Sequence, residues 1–287
     1  MWDVSAAREF GEKLMEKITV VNLMSLPFSG GTWLNLMLGA SDAAFSVGEY
    51  RDVIYKGNRA ECVTHDQACE VWPRIDTQGG ENVFVQLAEV TGKRVLIVNS
   101  SRKTFGWQRD ERIRPVIVYL HRDVRALVAS SMRKKVHASV WQAIKSYAHE
   151  ELRLRKTMYR SGFRPIVEIA YEQLKHDAAG SLEQISTRLD IPFNAGQVNY
   201  WKKDHCYIGG NRGTLLNMLV EQDKKAEHIL EKQKQSGDIT WEFDYYNKKG
   251  GLKKFRDERW RSELKGWRKC LVDVTLLPLS KIVRMGV

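Results

Sequence analysis

The stretch that decides the fold is Ile18–Gly39, with the sequence ITVVNLMSLPFSGGTWLNLMLG. Its first part, Ile18–Leu26, is apolar and rich in β-branched residues, and it ends at Pro27. Its last part, from Trp33 onward, has the apolar pattern of a buried helix. Between them lies Ser29-Gly30-Gly31-Thr32, where glycines let backbone N–H groups approach an anion at the start of a helix. This order predicts a strand, a glycine-rich turn that can hold phosphate, and a helix.

The same arrangement returns three times along the chain. Short apolar runs occur at Arg94–Asn99, Pro115–Leu120 and Pro165–Ala170. The helical patterns between and after them are Glu81–Thr91, Arg125–Lys135, Ser139–Tyr159 and Ala178–Leu189, with more after Thr214 and after Asp257. Short buried strands that alternate with helices predict an α/β fold with a central parallel sheet flanked by helices on both faces.

Length and composition limit the class of protein. The 287 residues are 43% hydrophobic, which predicts one domain over residues 1–287 with a full core. A net charge of +11 favours an anionic partner but does not distinguish a nucleotide from a nucleic acid, a sulfated sugar or a membrane. Four scattered cysteines do not suit a secreted disulfide framework, and no apolar run reaches about 18 residues. We therefore expect a cytoplasmic protein with no membrane span.

A second group of polar residues follows the predicted strand at Pro115–Leu120. Arg122 has a guanidinium fork that suits phosphate, Asp123 can cap the next helix, and Ser130 offers a hydroxyl from within that helix. Ligands of parallel α/β sheets bind beyond the carboxyl ends of the strands. The glycine-rich turn and Arg122 are therefore predicted to lie at one anion site.

Together, PFSGGTWLNLMLG (27–39) and VYLHRDVRALVASS (118–131) resemble the two nucleotide-binding signatures of sulfotransferases that use 3′-phosphoadenosine-5′-phosphosulfate (PAPS). The resemblance implies a P-loop-like sulfotransferase fold. It also implies transfer of a sulfonate group to a hydroxyl or amine of a small-molecule or carbohydrate acceptor, which leaves 3′-phosphoadenosine-5′-phosphate (PAP) and requires no metal. In that family the first signature holds the 5′-phosphosulfate and the second holds the 3′-phosphate. The matching residues are Ser29, Gly30, Gly31, Thr32 and Trp33 for the first, and Arg122 and Ser130 for the second.

Further motifs follow in the family's order. Ser46-Val47-Gly48-Glu49 resembles a Gly-Glu pair whose glutamate is the general base, and Val98–Lys103 resembles Asp-Ser-Ser-Lys with Asn99 in place of the aspartate. Tyr171–Leu174 resembles a segment whose tyrosine approaches the adenosine phosphate. His205–Arg212 is similar to an element that closes over the nucleotide, which implies roles for Gly210, Asn211 and Arg212.

The resemblance runs from about Thr19 to about Leu264 and concerns the nucleotide more than the acceptor. The implied nucleotide-binding elements are residues 18–40, 115–135, 165–175 and 205–214. The acceptor is left to the variable loops 51–80 and 202–251, so its identity stays open.

The chain departs from the family at Phe28, where cytosolic sulfotransferases have a lysine and tyrosylprotein sulfotransferases an arginine. The cation beside the bridging oxygen must then come from elsewhere, and Lys103, Arg102 and Arg51 are the candidates in that order. Glu49 and Lys103 are therefore the predicted catalytic residues. Val124 replaces a proline that only presets the start of a helix.

Two other functions share some of these features. A P-loop kinase or nucleotidase would also have a phosphate turn and a parallel sheet, but the chain lacks Gly-Lys-Ser/Thr and an evident magnesium-binding aspartate after a strand. A basic nucleic-acid-binding protein without turnover would suit the net charge of +11.

Other constellations have both a functional and an ordinary interpretation. Cys62, His65 and Cys69 have a spacing that suits three zinc ligands, with Cys206 or Cys270 as the fourth, or they are buried or unpaired thiols. The remaining alternatives concern longer sets: an acceptor pocket or core for Trp72, Trp107, Trp141 and Trp201, an acidic-acceptor surface or a solvated helix face for Lys248–Arg261, and an exposed segment at Glu231–Gly251.

Overall fold

The computed structural model describes residues 17–50, 62–65, 68–77, 79–100, 110–160, 162, 164–222 and 257–285. Among these residues, no helix is both long enough and apolar enough to cross a membrane. The cytoplasmic location and the single domain over residues 1–287 stay predictions.

Within the described residues, the core of the molecule is one parallel sheet. Its strand order is β2-β3-β1-β4-β5, and every pairing in it is parallel. The central strand β1 is buried along nearly its whole length, as expected for the run of β-branched residues that forms it. The strands are β1 Ile18–Ser25, β2 Ala44–Gly48, β3 Val95–Ser100, β4 Ile113–His121 and β5 Pro165–Ala170.

Helices cover both faces of the sheet, which confirms the predicted α/β fold. The helices are α1 Gly31–Gly39, α2 Val83–Thr91, α3 Val124–Arg133, α4 Val140–Arg160, α5 Tyr171–His176, α6 Ala178–Leu189, α7 Arg212–Glu221, α8 Trp260–Glu263 and α9 Trp267–Met285. Side chains alternate along β1, so that Val21 and Leu23 pack with α1, α5, α6 and α7. On the other face, Val20 packs with α2 and Met24 packs with α3, α4 and α9.

Strand β2 is the sheet element that sequence patterns did not predict. Its five residues, AFSVG, are too short for a clear alternation of apolar and polar positions, and polar contacts hold it in place. Ser46 Oγ donates to the carbonyl of Asn35 in α1 (3.0 Å), and Asn35 Nδ2 donates to the carbonyl of Ile97 in β3 (3.1 Å). These buried hydrogen bonds join α1 to the edge of the sheet, which fixes the position of the residue after β2.

The strand order places the two predicted phosphate elements side by side. Strand β1 lies between β3 and β4. The connection from β1 leads to one edge of the sheet, at β2, whereas the connection from β4 leads to the opposite edge, at β5. A crevice therefore opens beyond the carboxyl ends of β1 and β4, where such folds bind ligands. Ser25 pairs with Leu120, so the turn after β1 and Arg122 meet at this crevice.

Candidate active site

The turn after β1 is sharply bent, with positive φ angles at Phe28 and Gly30. Gly30 has φ of 92°, and a Cβ at this position would lie 2.6 Å from Cδ2 of Tyr171, so only glycine fits. Phe28 also has positive φ, 68°, which is unusual for a large side chain. Helix α1 then begins with neither a side-chain cap nor an acidic residue in its first turn. Its N–H groups and the positive end of its dipole are thus available to an anion.

Ser29 in this turn is buried, and its hydroxyl oxygen has no hydrogen-bond partner among the described residues. Leaving a buried hydroxyl unsatisfied costs free energy, so such a group in a native fold calls for a ligand or water. Together with the uncapped start of α1, it marks the turn as a place that suits a polar ligand.

Arg122 is buried against this turn and is held on three sides. Its Nη1 donates to the carbonyl of Phe28 (2.7 Å), and its Nη2 lies 3.1 Å from Oδ2 of Asp257. Its guanidinium stacks on the ring of Tyr171, 4.1 Å from the centroid. These contacts fix the guanidinium beside the turn after β1 before any ligand binds.

Asp257 joins Arg122 to a second arginine that sequence reasoning did not single out. Arg259 donates from Nε to Oδ1 and from Nη2 to Oδ2 of Asp257, both at 2.8 Å. Burial opposes the ionisation of Asp257, but hydrogen bonds from Arg259 and the charge of Arg122 outweigh it and hold the pKa of Asp257 well below its usual value. The group of two arginines and one carboxylate carries a formal charge of +1. In the sequence, Arg259 belongs to the basic run Lys248–Arg261, which is interpreted as a surface for an acidic acceptor or as a solvated helix face.

Tyr171 lies beside Gly30 of the turn and under the guanidinium of Arg122. Burial raises its pKa to about 12, with the charge of Arg122 opposing the shift, so its hydroxyl stays protonated. The ring of Trp33 meets that of Tyr171 edge-on, with centroids 5.8 Å apart. Ser130 is buried on α3, and its hydroxyl accepts from Nη2 of Arg133 (3.0 Å) instead of contacting Arg122.

A buried polar chain connects α1, β3 and the late glycine-rich element. Asn35 Nδ2 donates to Oδ1 of Asn99 (3.1 Å), and Asn99 Nδ2 donates to the hydroxyl of Tyr207 (3.0 Å). The Tyr207 hydroxyl also bonds to Thr32. Burial, together with the nearby charge of Glu49, raises the pKa of Tyr207, so it remains a neutral hydrogen-bonding group.

Glu49 is positioned by a close approach of two backbones. Gly48 has φ of 96°, and a Cβ there would lie 2.1 Å from the carbonyl oxygen of Ile208. The backbone N–H of Glu49 donates to that carbonyl (2.7 Å), and the N–H of Ile208 donates to the carbonyl of Val47 (3.1 Å). A Cβ on Gly209 would lie 2.9 Å from the Glu49 Cβ. The glycine of the Gly-Glu motif therefore lets the segment at Ile208 pack directly against the backbone beside Glu49.

The residues after Gly209 pack against the turn after β1. A Cβ on Gly210 would lie 2.7 Å from Cε1 of Tyr207 and 3.2 Å from Thr32, and the backbone N–H of Asn211 donates to Thr32 Oγ1 (3.0 Å). Thr32, Gly210 and Asn211 consequently meet at the start of α1, and Glu49 lies against the adjoining Gly209. Arg212 begins α7, and its side chain lies outside the described part of the chain.

The predicted replacements for the missing lysine, Lys103, Arg102 and Arg51, lie outside the described residues, as does Trp107. Near the Phe28 ring the structure places Lys134, whose Nζ lies 5.2 Å from the ring centroid. Sequence reasoning missed this lysine because Lys134 follows α3 and is separated from Phe28 by about a hundred residues of sequence.

A small open cleft lies beside this crevice on the side of α4 and α9. Ser29 and Arg122 line one end, and Tyr119, Tyr147 and Glu151 line the other. The hydroxyl of Tyr119 donates to Glu151 (2.6 Å). Trp72 and Trp201 are core residues, whereas Trp141 is exposed.

The chain resembles known proteins in structure. No protein-family model and no curated protein matches the chain. The sulfotransferase domain from the curacin biosynthetic pathway is 19% identical, with a TM-score of 0.47 over 68% of this chain and 80% of that one. A sulfotransferase of Mycobacterium tuberculosis H37Rv is 11% identical, with a TM-score of 0.41 over 83% and 80%.

Retinol dehydratase, solved with androsterone and the inactive cofactor PAP, is 14% identical, with a TM-score of 0.39 over 91% of this chain and 80% of that one. The curacin-pathway and mycobacterial proteins are sulfotransferases, the family that the sequence motifs resemble. Since all three TM-scores are below 0.5, we infer function from the residues of the site.

Proposed function

We propose that the protein is a sulfotransferase that moves a sulfonate group from PAPS to a hydroxyl or amine of a small-molecule or carbohydrate acceptor. The observation that supports this best is that Gly210 and Asn211 meet Thr32 at the uncapped start of α1, with Glu49 against the adjoining Gly209. A carboxylate next to an anion-binding turn offers a base beside a group that leaves with negative charge.

The two ends of the donor would be bound by different chemistry. The backbone N–H of Ser29 already donates to the carbonyl of Leu26 (3.2 Å). The backbone N–H groups from Gly30 to Trp33 and the dipole of α1 suit the phosphosulfate end, with the unsatisfied hydroxyl of Ser29 as a further hydrogen-bonding group. Arg122 suits the 3′-phosphate, because its guanidinium is already oriented by Phe28, Tyr171 and Asp257. Ser130 and Arg212 stay predicted contributors to nucleotide binding.

In the proposed reaction the acceptor oxygen or nitrogen attacks the sulfur of PAPS. A new bond to sulfur forms while the bond between sulfur and the bridging oxygen breaks, and PAP leaves with that electron pair. The acceptor proton passes to the carboxylate of Glu49. Arg122, which contacts the turn through the Phe28 carbonyl, would position the donor without taking part in the proton transfer.

Charge on the leaving group must be stabilised without a lysine at position 28. The N–H groups at the start of α1 can do part of this work, since fixed dipoles in a site that excludes water need little reorganisation. Lys103 stays the predicted cation, and Lys134 beside Phe28 is a described alternative.

Ligand-induced stabilisation separates this proposal from its alternatives. PAP should raise the melting temperature more than ATP with magnesium does, because only PAP has a 3′-phosphate for Arg122. A larger shift with ATP and magnesium would favour a kinase-like phosphotransferase. Strongly salt-dependent binding of nucleic acid without a response to PAP would favour a nucleic-acid-binding protein. A screen of hydroxyl and amine acceptors with labelled PAPS then tests turnover directly.

A further inference from the structure

Three cysteines and one histidine from distant parts of the chain meet beside strand β2. The donor atoms of Cys62, His65 and Cys69 all lie within 4.8 Å of one another. Cys206, which is far along the chain, brings its sulfur to 3.6 Å from Nδ1 of His65 and into hydrogen-bonding contact with Cys62. All of these cysteines are free thiols. The fourth cysteine, Cys270, is exposed on α9 and lies in another part of the fold.

The distances in this cluster fit a tetrahedral metal site. The Sγ of Cys62 lies 3.5 Å and the Sγ of Cys206 lies 3.6 Å from Nδ1 of His65. Zinc–sulfur bonds of about 2.3 Å and a zinc–nitrogen bond of about 2.0 Å at a tetrahedral angle would separate sulfur from nitrogen by about 3.5 Å. The two measured edges therefore match those of a zinc tetrahedron.

Groups around the cluster prepare its donor atoms for a cation. His65 Nε2 lies 2.8 Å from a carboxylate oxygen of Asp204, which selects the tautomer that leaves Nδ1 as the ligand. The backbone N–H of His65 donates to the Cys62 sulfur (3.4 Å), and backbone groups of Val71 and Trp72 hydrogen-bond to Cys69. Backbone N–H donors around the sulfur atoms are typical of the groups that surround and orient metal ligands.

We propose that Cys62, His65, Cys69 and Cys206 bind one zinc ion in a Cys3His site. Four protein ligands close the coordination sphere, which is the arrangement of structural zinc sites, and no position is left for a reacting water. The ion therefore has no part in sulfonate transfer, and the proposal stands whether or not the protein is a sulfotransferase. Of the two interpretations that the sequence offered, zinc ligands or buried or unpaired thiols, the proposal selects the zinc ligands.

The site would fasten the segment after residue 61 to the segment that precedes Gly209. The two segments already share hydrogen bonds, from the N–H of Val63 to the carbonyl of Tyr207 (2.8 Å) and from Nε1 of Trp72 to the carbonyl of Cys206 (2.7 Å). Thr64 also donates its hydroxyl to the carbonyl of His205. Zinc would add a link with a large binding free energy at the base of the element that carries Gly209.

Metal analysis of the purified full chain is the first test. Protein produced with added zinc under reducing conditions should contain about one zinc ion per chain. Cys270→Ser is the matched control and should keep that zinc, while Cys62→Ser and Cys206→Ser should lose most of it. Wild type without zinc above background would overturn the proposal. Equal loss in Cys270→Ser and Cys206→Ser would overturn the assignment of the ligands.

Cobalt substitution of the wild-type chain gives a readout that does not depend on whether the variants fold. Cobalt(II) bound by three thiolates and one imidazole should show a sulfur-to-metal charge-transfer band and the intense visible bands of tetrahedral cobalt. Weak octahedral bands would contradict a Cys3His site. A disulfide between Cys62 and Cys206, found by alkylation and mass spectrometry in protein without metal, would show instead that the cluster is a redox pair.

Discussion

Replacing Arg122 gives the most direct test of the nucleotide site. The guanidinium contacts the Phe28 carbonyl (2.7 Å), Asp257 (3.1 Å) and the ring of Tyr171 (4.1 Å from the centroid). In Arg122→Ala these contacts disappear, yet Asp257 keeps both of its hydrogen bonds to Arg259 and is not left as an unpaired charge. The free energy of unfolding should therefore fall by about 2–4 kcal/mol, from one charge-assisted hydrogen bond and one cation–π contact.

The effect on PAP binding should be of similar size, because a phosphate in the crevice loses its buried charged partner. A loss of about 2–4 kcal/mol corresponds to a dissociation constant raised about 30- to 1000-fold. Isothermal calorimetry with PAP measures this, provided that thermal unfolding first shows a folded variant. Arg122→Lys keeps the charge but cannot reproduce the fork, so we expect an intermediate affinity.

Arg125→Ala is the matched control, since it removes one positive charge from the same region. Arg125 pairs with Asp123 and stacks on Trp260, outside the crevice contacts of Arg122. Its loss should change PAP affinity little. If folded Arg122→Ala binds PAP as tightly as wild type, or if Arg125→Ala weakens binding equally, Arg122 is not the phosphate ligand.

Four further predictions concern the chemistry and the frame of the site. Glu49→Gln should lower turnover roughly 10²- to 10⁴-fold with PAP affinity nearly unchanged, and full activity in steady-state assays would refute the base assignment. Phe28→Lys should raise turnover roughly tenfold or more if the missing cation limits the reaction, while an unchanged rate would mean that another cation already serves. Gly48→Ala should lower the free energy of unfolding by about 2 kcal/mol or more, measured by urea titration against the exposed control Gly80→Ala, which has open space for a Cβ. Because the pKa of Asp257 is depressed in the folded state, its carboxylate stabilises the fold at pH values above the pKa of an unfolded aspartate, about 3.9. The free energy of unfolding should therefore fall as the pH drops below about 4. This fall should be less steep in Asp257→Asn.

Local sequence patterns predicted the sheet and the turn well because these elements depend on neighbouring residues. The β-branched run of Ile18–Leu26 and the glycines at 30 and 31 specify a strand and a turn without help from distant parts of the chain. Strand β2 was missed because its hydrogen bonds to Asn35 and β3, rather than its own propensity, hold it. The motif resemblance still located Glu49, which directly follows that strand.

Contacts between distant segments were the part that sequence could not provide. The pairing of Arg122 with Asp257 joins two positions that share no local pattern, and it exists only because α8 packs against α3. In the same way, spacing left Cys206 and Cys270 as equal candidates to complete the cysteine cluster. The fold distinguishes them by placing only Cys206 beside His65.

The contact between Gly48 and Ile208 has a consequence for how the acceptor side can change. The two segments touch through backbone atoms, so the spacing between the Glu49 backbone and the glycines at 209 and 210 is set without any side chain. Substitutions in the loops that surround this contact can therefore reshape a pocket while the carboxylate keeps its anchor point. The same constraint makes position 48 intolerant of every side chain. A library that explores new acceptors should accordingly hold residues 48, 209 and 210 constant and vary the loops around them.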